Sequence, residues 1–198
     1  MAVELDVLGE TRVIMELPGA PLDDLIAAGE VMLQEGLTWW SLPVSRAAEL
    51  TELRGLFGHR ATFCLHDVRT SEQAQAAAAA EVALIFSPLA DPELVTAVGA
   101  TPIVLGALTP TEVDRAVRAG AAAVQVIPCD AMGTLYARVL PGLFPNVPLI
   151  AAGRLERFQA DMWLEAGAVA VMPLGQITTA HVTDPDLAEL RRRCQALV

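Results

Sequence analysis

Eight short apolar runs recur along the chain at near-regular spacing, about twenty-odd residues from one to the next, and this rhythm limits the folds open to it. They read RVIMEL (12–17), LTWWSL (37–42), ATFCL (61–65), VALIFS (82–87), PIVLG (102–106), AVQVI (123–127), VPLIA (147–151) and AVAVM (168–172). Their hydrophobicity is near-continuous rather than alternating, as expected of strands buried on both faces of a parallel sheet. Helix-like segments fall between them. PLDDLIAAGEVMLQEG opens on Pro21 and early carboxylates and closes on Gly36. TSEQAQAAAAA offers Thr70 or Ser71 as a cap; DPELVTAV and TPTEVDRAVRAG repeat a cap, Pro, Glu pattern. DPDLAELRRRCQALV puts acids first and arginines later, as the helix dipole favours. Eight strand–helix units with little left over predict a single compact α/β domain over 1–198, a (β/α)8 barrel shorter than the usual ~250 residues. A doubly wound open sheet is the alternative; it normally carries a Gly-rich turn after its first strand, and ELPGAP is not one.

The hydrophobic fraction of 54% and mean hydropathy of +0.45 raise the question of a membrane span. A span needs about 18 uninterrupted apolar residues. The longest candidate, AAAAAEVALIFSPLA, is cut by Glu81 and closed by Pro88 and Asp91, so the oiliness reads as a buried sheet under Ala- and Leu-rich helices. Met1 is followed by AVELDVLGE, with neither a basic start nor an apolar run, and the expectation is a cytoplasmic protein. A net charge of −11 argues against nucleic acid and against anionic membrane surfaces as partners. Cys64, Cys129 and Cys194 match no zinc spacing and are expected as free thiols. Lys and Arg together number 13, and all 13 are arginines. The chain therefore has no lysine, and chemistry that needs a side-chain primary amine is closed to it.

In a barrel, chemistry collects at the carboxyl ends of the strands. Those ends offer Glu16, Ser41, Ser45 with Arg46, Cys64 with His66 and Asp67, Ser87, Gln125 with Cys129 and Asp130, and Gly153 with Arg154. Each has two readings. Glu16 is a general base, or a rim carboxylate paired with Arg12 or Arg69. His66 and Asp67 shuttle protons or, with Glu16 or Asp130, hold a divalent metal; alternatively Asp67 caps the helix that starts near Thr70. Cys64 and Cys129 are more in keeping with buried small hydrophobes than with nucleophiles. Asp130 suits the cap of the helix AMGTLYARVL. AAGRL (151–155) is a small-residue turn able to show backbone N–H groups to a phosphate, with Arg154 adding charge. Of the adjacent Trp39 and Trp40, strand geometry sends one inward and the other beneath the helices. In AAVQVIPCD (122–130) one amide, Gln125, stands alone among apolar neighbours.

Five stretches together resemble one family, the 2-keto-3-deoxy-6-phosphogluconate and 4-hydroxy-2-oxoglutarate aldolases: VMLQEGLTWWSL, IFSPLADPELVTAV, PIVLGALTPTEVDRAVRAGA, VQVIPCD and LPGLFPNVPLIAAGRL. The resemblance runs from about residue 12 to 177, in matching order and spacing. It implies a small trimeric (β/α)8 barrel and class I aldolase chemistry, in which a strand-six lysine of an F-K-F-F-P motif forms a Schiff base. That motif reads Val124-Gln125-Val126-Ile127-Pro128 here, so Gln125 takes the lysine position. The strand-two E-V-T-L-R-T becomes Ser41-Leu42-Pro43-Val44-Ser45-Arg46: Ser41 replaces the acid/base Glu, Ser45 the carboxylate-binding Arg, with Arg46 next to it. The G-A-G-T of strand three becomes Cys64-Leu65-His66-Asp67, the T-G-G-I turn becomes Ala151-Ala152-Gly153-Arg154, and the strand-eight G-G-S becomes Met172-Pro173-Leu174.

The expectation is thus an aldolase-like homotrimeric barrel, without a cofactor, that binds a small anionic keto- or hydroxy-acid but cannot make the imine. Gln125, Ser41, His66 and Asp67 are its candidate catalytic residues; Ser45, Arg46, Ser87, Pro128, Gly153 and Arg154 are its candidate ligand-binding residues, with Arg69 as a further holder of the acid. Two alternatives stand beside it: a non-catalytic structural or regulatory barrel whose mouth is plugged by Trp39 or Trp40 and Leu174, and a metal-assisted lyase built on Glu16, His66 and Asp130.

Overall fold

The computed structural model describes residues 12–184 and 186–198. Eight parallel strands pair in strict chain order: β1 (Ile14–Glu16), β2 (Trp39–Pro43), β3 (Thr62–His66), β4 (Leu84–Ser87), β5 (Ile103–Ala107), β6 (Ala123–Val126), β7 (Leu149–Gly153) and β8 (Ala170–Pro173). A bridge from Val13 to Val171, with the Val171 N–H donating to the Arg12 carbonyl, brings the first strand round to the last. The expected (β/α)8 barrel is therefore what forms, and the open-sheet alternative is not.

The helices outside it are α1 (Leu22–Gln34), α2 (Leu50–Phe57), α3 (Ser71–Ala79), α4 (Pro92–Val98), α5 (Pro110–Ala119), α6 (Thr134–Leu143), α7 (Arg157–Glu165), α8 (Thr179–Thr183) and α9 (Ala188–Gln195). Their starts follow the capping residues: Thr70 accepts from the Gln73 N–H, Asp91 from the Glu93 N–H, and Thr109 forms a reciprocal box with Glu112. Two segments depart from the sequence reading. A 3-10 turn at Val44–Glu49 precedes α2. And α6 begins at Thr134, not at Ala131, because Gly133 sits at φ 74 where helical geometry cannot continue.

Alternation along each strand sorts side chains into two cores. Trp39 enters the barrel with Ile14, Cys64, Phe86, Val104 and Ile150. Trp40 goes outward, donates its Nε1–H to the Leu37 carbonyl at 2.7 Å, and meets Phe57 and Phe63 edge-on at 5.0 and 5.8 Å. Both halves of the tryptophan expectation hold. Trp39 lies one layer below the mouth, so neither tryptophan plugs it.

Candidate functional site

Two residues beyond each apolar inward position, at the carboxyl end of the strand, stands the next inward residue. Ile14 is followed by Glu16, Trp39 by Ser41, Cys64 by His66, Ala123 by Gln125, and Ala170 by Met172. Strand periodicity therefore gathers one carboxylate, one hydroxyl, one imidazole and one amide into the top layer of an otherwise apolar barrel. They frame a mouth pocket of about 140 Å3, lined by Glu16, His66, Asp67 and Gln125 and closed by Pro88, Ile127, Met172 and Leu174.

The polar groups are connected. Ser41, fully buried, lies with its Oγ 2.9 Å from His66 Nδ1. His66 Nε2 lies 3.6 Å from Glu16 Oε1, beyond hydrogen-bond length, while the Gly175 N–H donates to Glu16 Oε2 at 3.1 Å. Burial lowers the His66 pKa from its ordinary value, against the pull of Glu16 and Asp67, which favours the neutral ring. A neutral ring carries one proton. The Ser41 contact fits either tautomer: the hydroxyl donates to a bare Nδ1 or accepts from an Nδ1–H, and the first leaves an Nε2–H on the Glu16 side.

Gln125 is 3% exposed, and its Nε2 donates to the Ser87 carbonyl at 2.7 Å. Only the NH2 end can make that bond, which fixes the orientation of the amide. One amide hydrogen is thereby taken and one remains. The close approach of Pro88 over the mouth depends on Gly106, paired with Gln125 in the sheet. A Cβ at Gly106 would meet the Pro88 carbonyl, with Pro88 Cα at 2.7 Å.

Of the other expected site residues, Asp67 stays on the pocket rim and the rest lie elsewhere. Ser87 contributes its backbone carbonyl, while its hydroxyl accepts the Leu89 N–H. Ser45 is exposed on the 3-10 turn. Arg46 is turned to Glu49 and to the carbonyls of Pro18 and Ala20, so it ties down the β1–α1 loop instead of reaching a ligand. Asp67 sits at φ 61, where Asp is tolerated better than most residues, and pairs with exposed Arg69 at 3.6 Å; Thr70, not Asp67, caps α3. Asp130 does not cap α6: its carboxylate accepts the Arg154 N–H at 3.1 Å. A side chain at Gly153 would run into Asp130 and the Cys129 sulfur, so that glycine serves this packing. Pro128 follows a cis peptide outside the pocket lining, and Arg154 faces an adjoining surface depression with Gly175 and Gln176 that meets the mouth at Leu174. Among the described residues no three of His, Cys, Asp and Glu are placed to hold a metal; Glu16 and His66 come together, Asp130 does not join them. Cys64 and Cys129 are buried, their thiols pushed up to about 12 by desolvation, which makes them packing residues.

Sequence reasoning missed the Ser41–His66 contact and the roles of Pro88 and Gly106. The first had a readable signal, since both residues share the inward parity on neighbouring strands. The second had only an isolated glycine in a strand, which marks close backbone approach without naming what approaches.

The model of the KDPG and KHG aldolase family matches residues 6–193. Among solved structures, a KDPG aldolase from Legionella pneumophila with pyruvate captured as a covalent carbinolamine superposes with a TM-score of 0.82 at 18% identity, covering 98% of this chain and 97% of that one. The Zymomonas mobilis ZM4 2-keto-3-deoxy-6-phosphogluconate aldolase gives 0.80 at 16% identity, over 100% and 96%. A 4-hydroxy-2-oxoglutarate/2-dehydro-3-deoxyphosphogluconate aldolase gives 0.79 at 25% identity, over 98% and 96%. No curated protein matches the chain significantly.

Proposed function

The chain belongs to the KDPG and KHG aldolase family, and from that premise we propose that it uses the barrel mouth to bind a small carbonyl compound without covalent attachment and does not perform imine-type aldol cleavage. One observation carries this reading. The chain has no lysine, and an amide, Gln125, occupies the inward strand-six position in the mouth. The carbinolamine captured in the Legionella pneumophila relative is the adduct of an amine and a ketone; no side chain here supplies that amine. An amide hydrogen donates to a carbonyl oxygen but does not attack its carbon.

The anionic keto- or hydroxy-acid expected from sequence loses its anchors. Arg46 and Arg154 do not line the pocket, Arg69 is paired with Asp67, and the lining holds two carboxylates. The reading therefore rests on the carbonyl group of the guest, not on its acid. A volume of about 140 Å3 is below the ~300–1,000 Å3 of drug-sized pockets and limits the guest to a few heavy atoms.

Thermal shift with three- to five-carbon ketones, hydroxy-ketones and keto-acids at millimolar concentration tests the proposal. A ligand at ~100 times its Kd stabilises by about 2.7 kcal/mol, worth about 5–10 °C in a chain of this size. A flat response across the whole panel contradicts it.

Self-association as a homotrimer in the cytoplasm belongs to the same proposal. Leu135, Val139 and Leu143 form an exposed apolar stripe on α6, a helix without an acidic residue in a chain of net charge −11. Two or more copies meeting there bring no carboxylate of α6 together. Sedimentation equilibrium should return three times the 21.0 kDa chain mass; a single monomer mass at micromolar concentration contradicts the trimer.

A further inference from the structure

Deepening the binding reading above, on which it rests, we propose that the mouth is an imine-free enolisation site for small uncharged α-hydroxy-ketones, with Glu16 as the base and the His66 Nε2–H as the group that polarises the carbonyl.

The arrangement is directional. Ser41 is at the sealed end of the chain and Glu16 at its open end, with a side chain 34% exposed. A buried serine beside a histidine is here no nucleophile, because nothing can reach it. Its hydroxyl instead holds Nδ1, which leaves the Nε2 edge for the pocket. The Gly175 amide fixes one oxygen of Glu16 and points the other toward the imidazole. The 3.6 Å gap leaves both groups unspent. In a site this enclosed a neutral imidazole donates to an oxygen without the charge an imidazolium would have to bury.

The step balances within the two groups and the guest. Glu16 takes a proton from the carbon next to the carbonyl; the C–H electron pair moves into a C=C bond and the carbonyl electrons onto oxygen. That oxygen is held by the His66 Nε2–H and by the second amide hydrogen of Gln125. Returning the proton to the same carbon, or to the neighbouring one after a shift of the hydroxyl proton, regenerates a carbonyl compound. No oxidant, reductant or metal enters the balance.

The lining also selects by charge. The groups facing His66 are Ser41 from β2, Glu16 from β1, and Asp67, whose charge is met by Arg69 out in solvent. Among the described residues no arginine lines the pocket, so a guest carboxylate would face the Glu16 charge with no cation beside it. An α-hydroxy-ketone carries the same carbonyl without that repulsion.

The test follows hydrogen–deuterium exchange at the hydroxymethyl carbon of hydroxyacetone in D2O by 1H NMR, with saturation-transfer spectra on the same samples reporting binding. The full-length chain should exchange hydroxyacetone at least tenfold faster than buffer, and pyruvate, of nearly the same size but anionic, at least tenfold more slowly than hydroxyacetone. Glu16→Gln, which keeps the shape of the side chain and the Gly175 contact, should lower exchange by about 100-fold or more while the saturation-transfer signal persists. His66→Asn should lower it too. Ser41 is a positioning residue, and its readout is spectroscopic. With three histidines in the chain, 15N-histidine spectra should show His66 protonated at Nε2, and Ser41→Ala should shift that tautomer balance. Binding without exchange overturns the enolisation site and leaves the binding reading intact. Neither binding nor exchange overturns both. Exchange that survives Glu16→Gln, a pyruvate rate equal to that of hydroxyacetone, or an Nδ1–H tautomer at His66 each overturns the proposal.

Discussion

Gln125→Lys should create a hydroxyacetone adduct that borohydride traps in stoichiometric amount, where the parent chain yields none. Position 125 is buried, on the inward face of β6, and in contact with the pocket. A lysine there has as many heavy atoms as glutamine and reaches one bond farther, which a pocket of about 140 Å3 accommodates. Its ammonium can take over the hydrogen bond to the Ser87 carbonyl, so the interaction worth about 1 kcal/mol is replaced, not lost. Desolvation lowers the pKa of a buried amine, which is what turns lysine into a nucleophile near neutral pH. Glu16 opposes this, but a carboxylate one-third exposed is weakened by solvent. Intact-mass spectrometry after reduction, with peptide mapping to place the increment at residue 125, reads the result. A folded variant without any adduct would mean that this side chain does not meet the guest.

Gly106→Val should be the most damaging substitution of a single small residue at the site. The added side chain would collide with backbone at Pro88, whose Cα lies 2.7 Å from the Cβ position, and backbone cannot swing aside as a side chain can. Overpacking of this kind costs about 3 kcal/mol, the upper part of the usual range. Urea unfolding should show a lower midpoint at unchanged slope. Because Pro88 closes the mouth, ligand-induced stabilisation should fall as well. Gly55→Ala is the contrast: nothing lies within 4 Å of its Cβ position in α2, and the change should stabilise by about 0.5–1 kcal/mol. Equal stability of Gly106→Val and the parent would show that β5 does not press on that loop.

The barrel was legible because strands buried on both faces leave near-continuous apolar runs, and because Thr70, Asp91 and Thr109 mark helix starts by chemistry that acts locally. Strand ends were less legible. Pairing continues to Pro43, His66, Gly153 and Pro173, residues that no apolar run includes, because the carboxyl end of a barrel strand is held by its neighbours and not by its own hydrophobicity. Gln125 stood out for the same reason it matters: a lone amide in an apolar strand has to be inside or wasted. Arg46 was misplaced although its partner was in view. Glu49 lies one helical turn away, and that short-range pair, with the Pro18 and Ala20 carbonyls, uses the guanidinium locally. Asp130 was misplaced because Gly133 breaks the backbone before the helix begins, which frees the carboxylate to reach across to β7. The Ser41–His66–Glu16 line crosses three strands, and no single stretch of sequence contains it.

The central claim is that the mouth holds a carbonyl guest by hydrogen bonds and by nothing covalent. A crystal structure of the parent chain soaked with hydroxyacetone at neutral pH tests this most directly. The account predicts a guest between Glu16, His66 and Gln125, its carbonyl oxygen within hydrogen-bond reach of His66 Nε2 and the Gln125 amide. A carbon–nitrogen bond from the guest to any side chain, or a guest seated in the small cavity between α6 and α7 with the mouth unchanged, would contradict it.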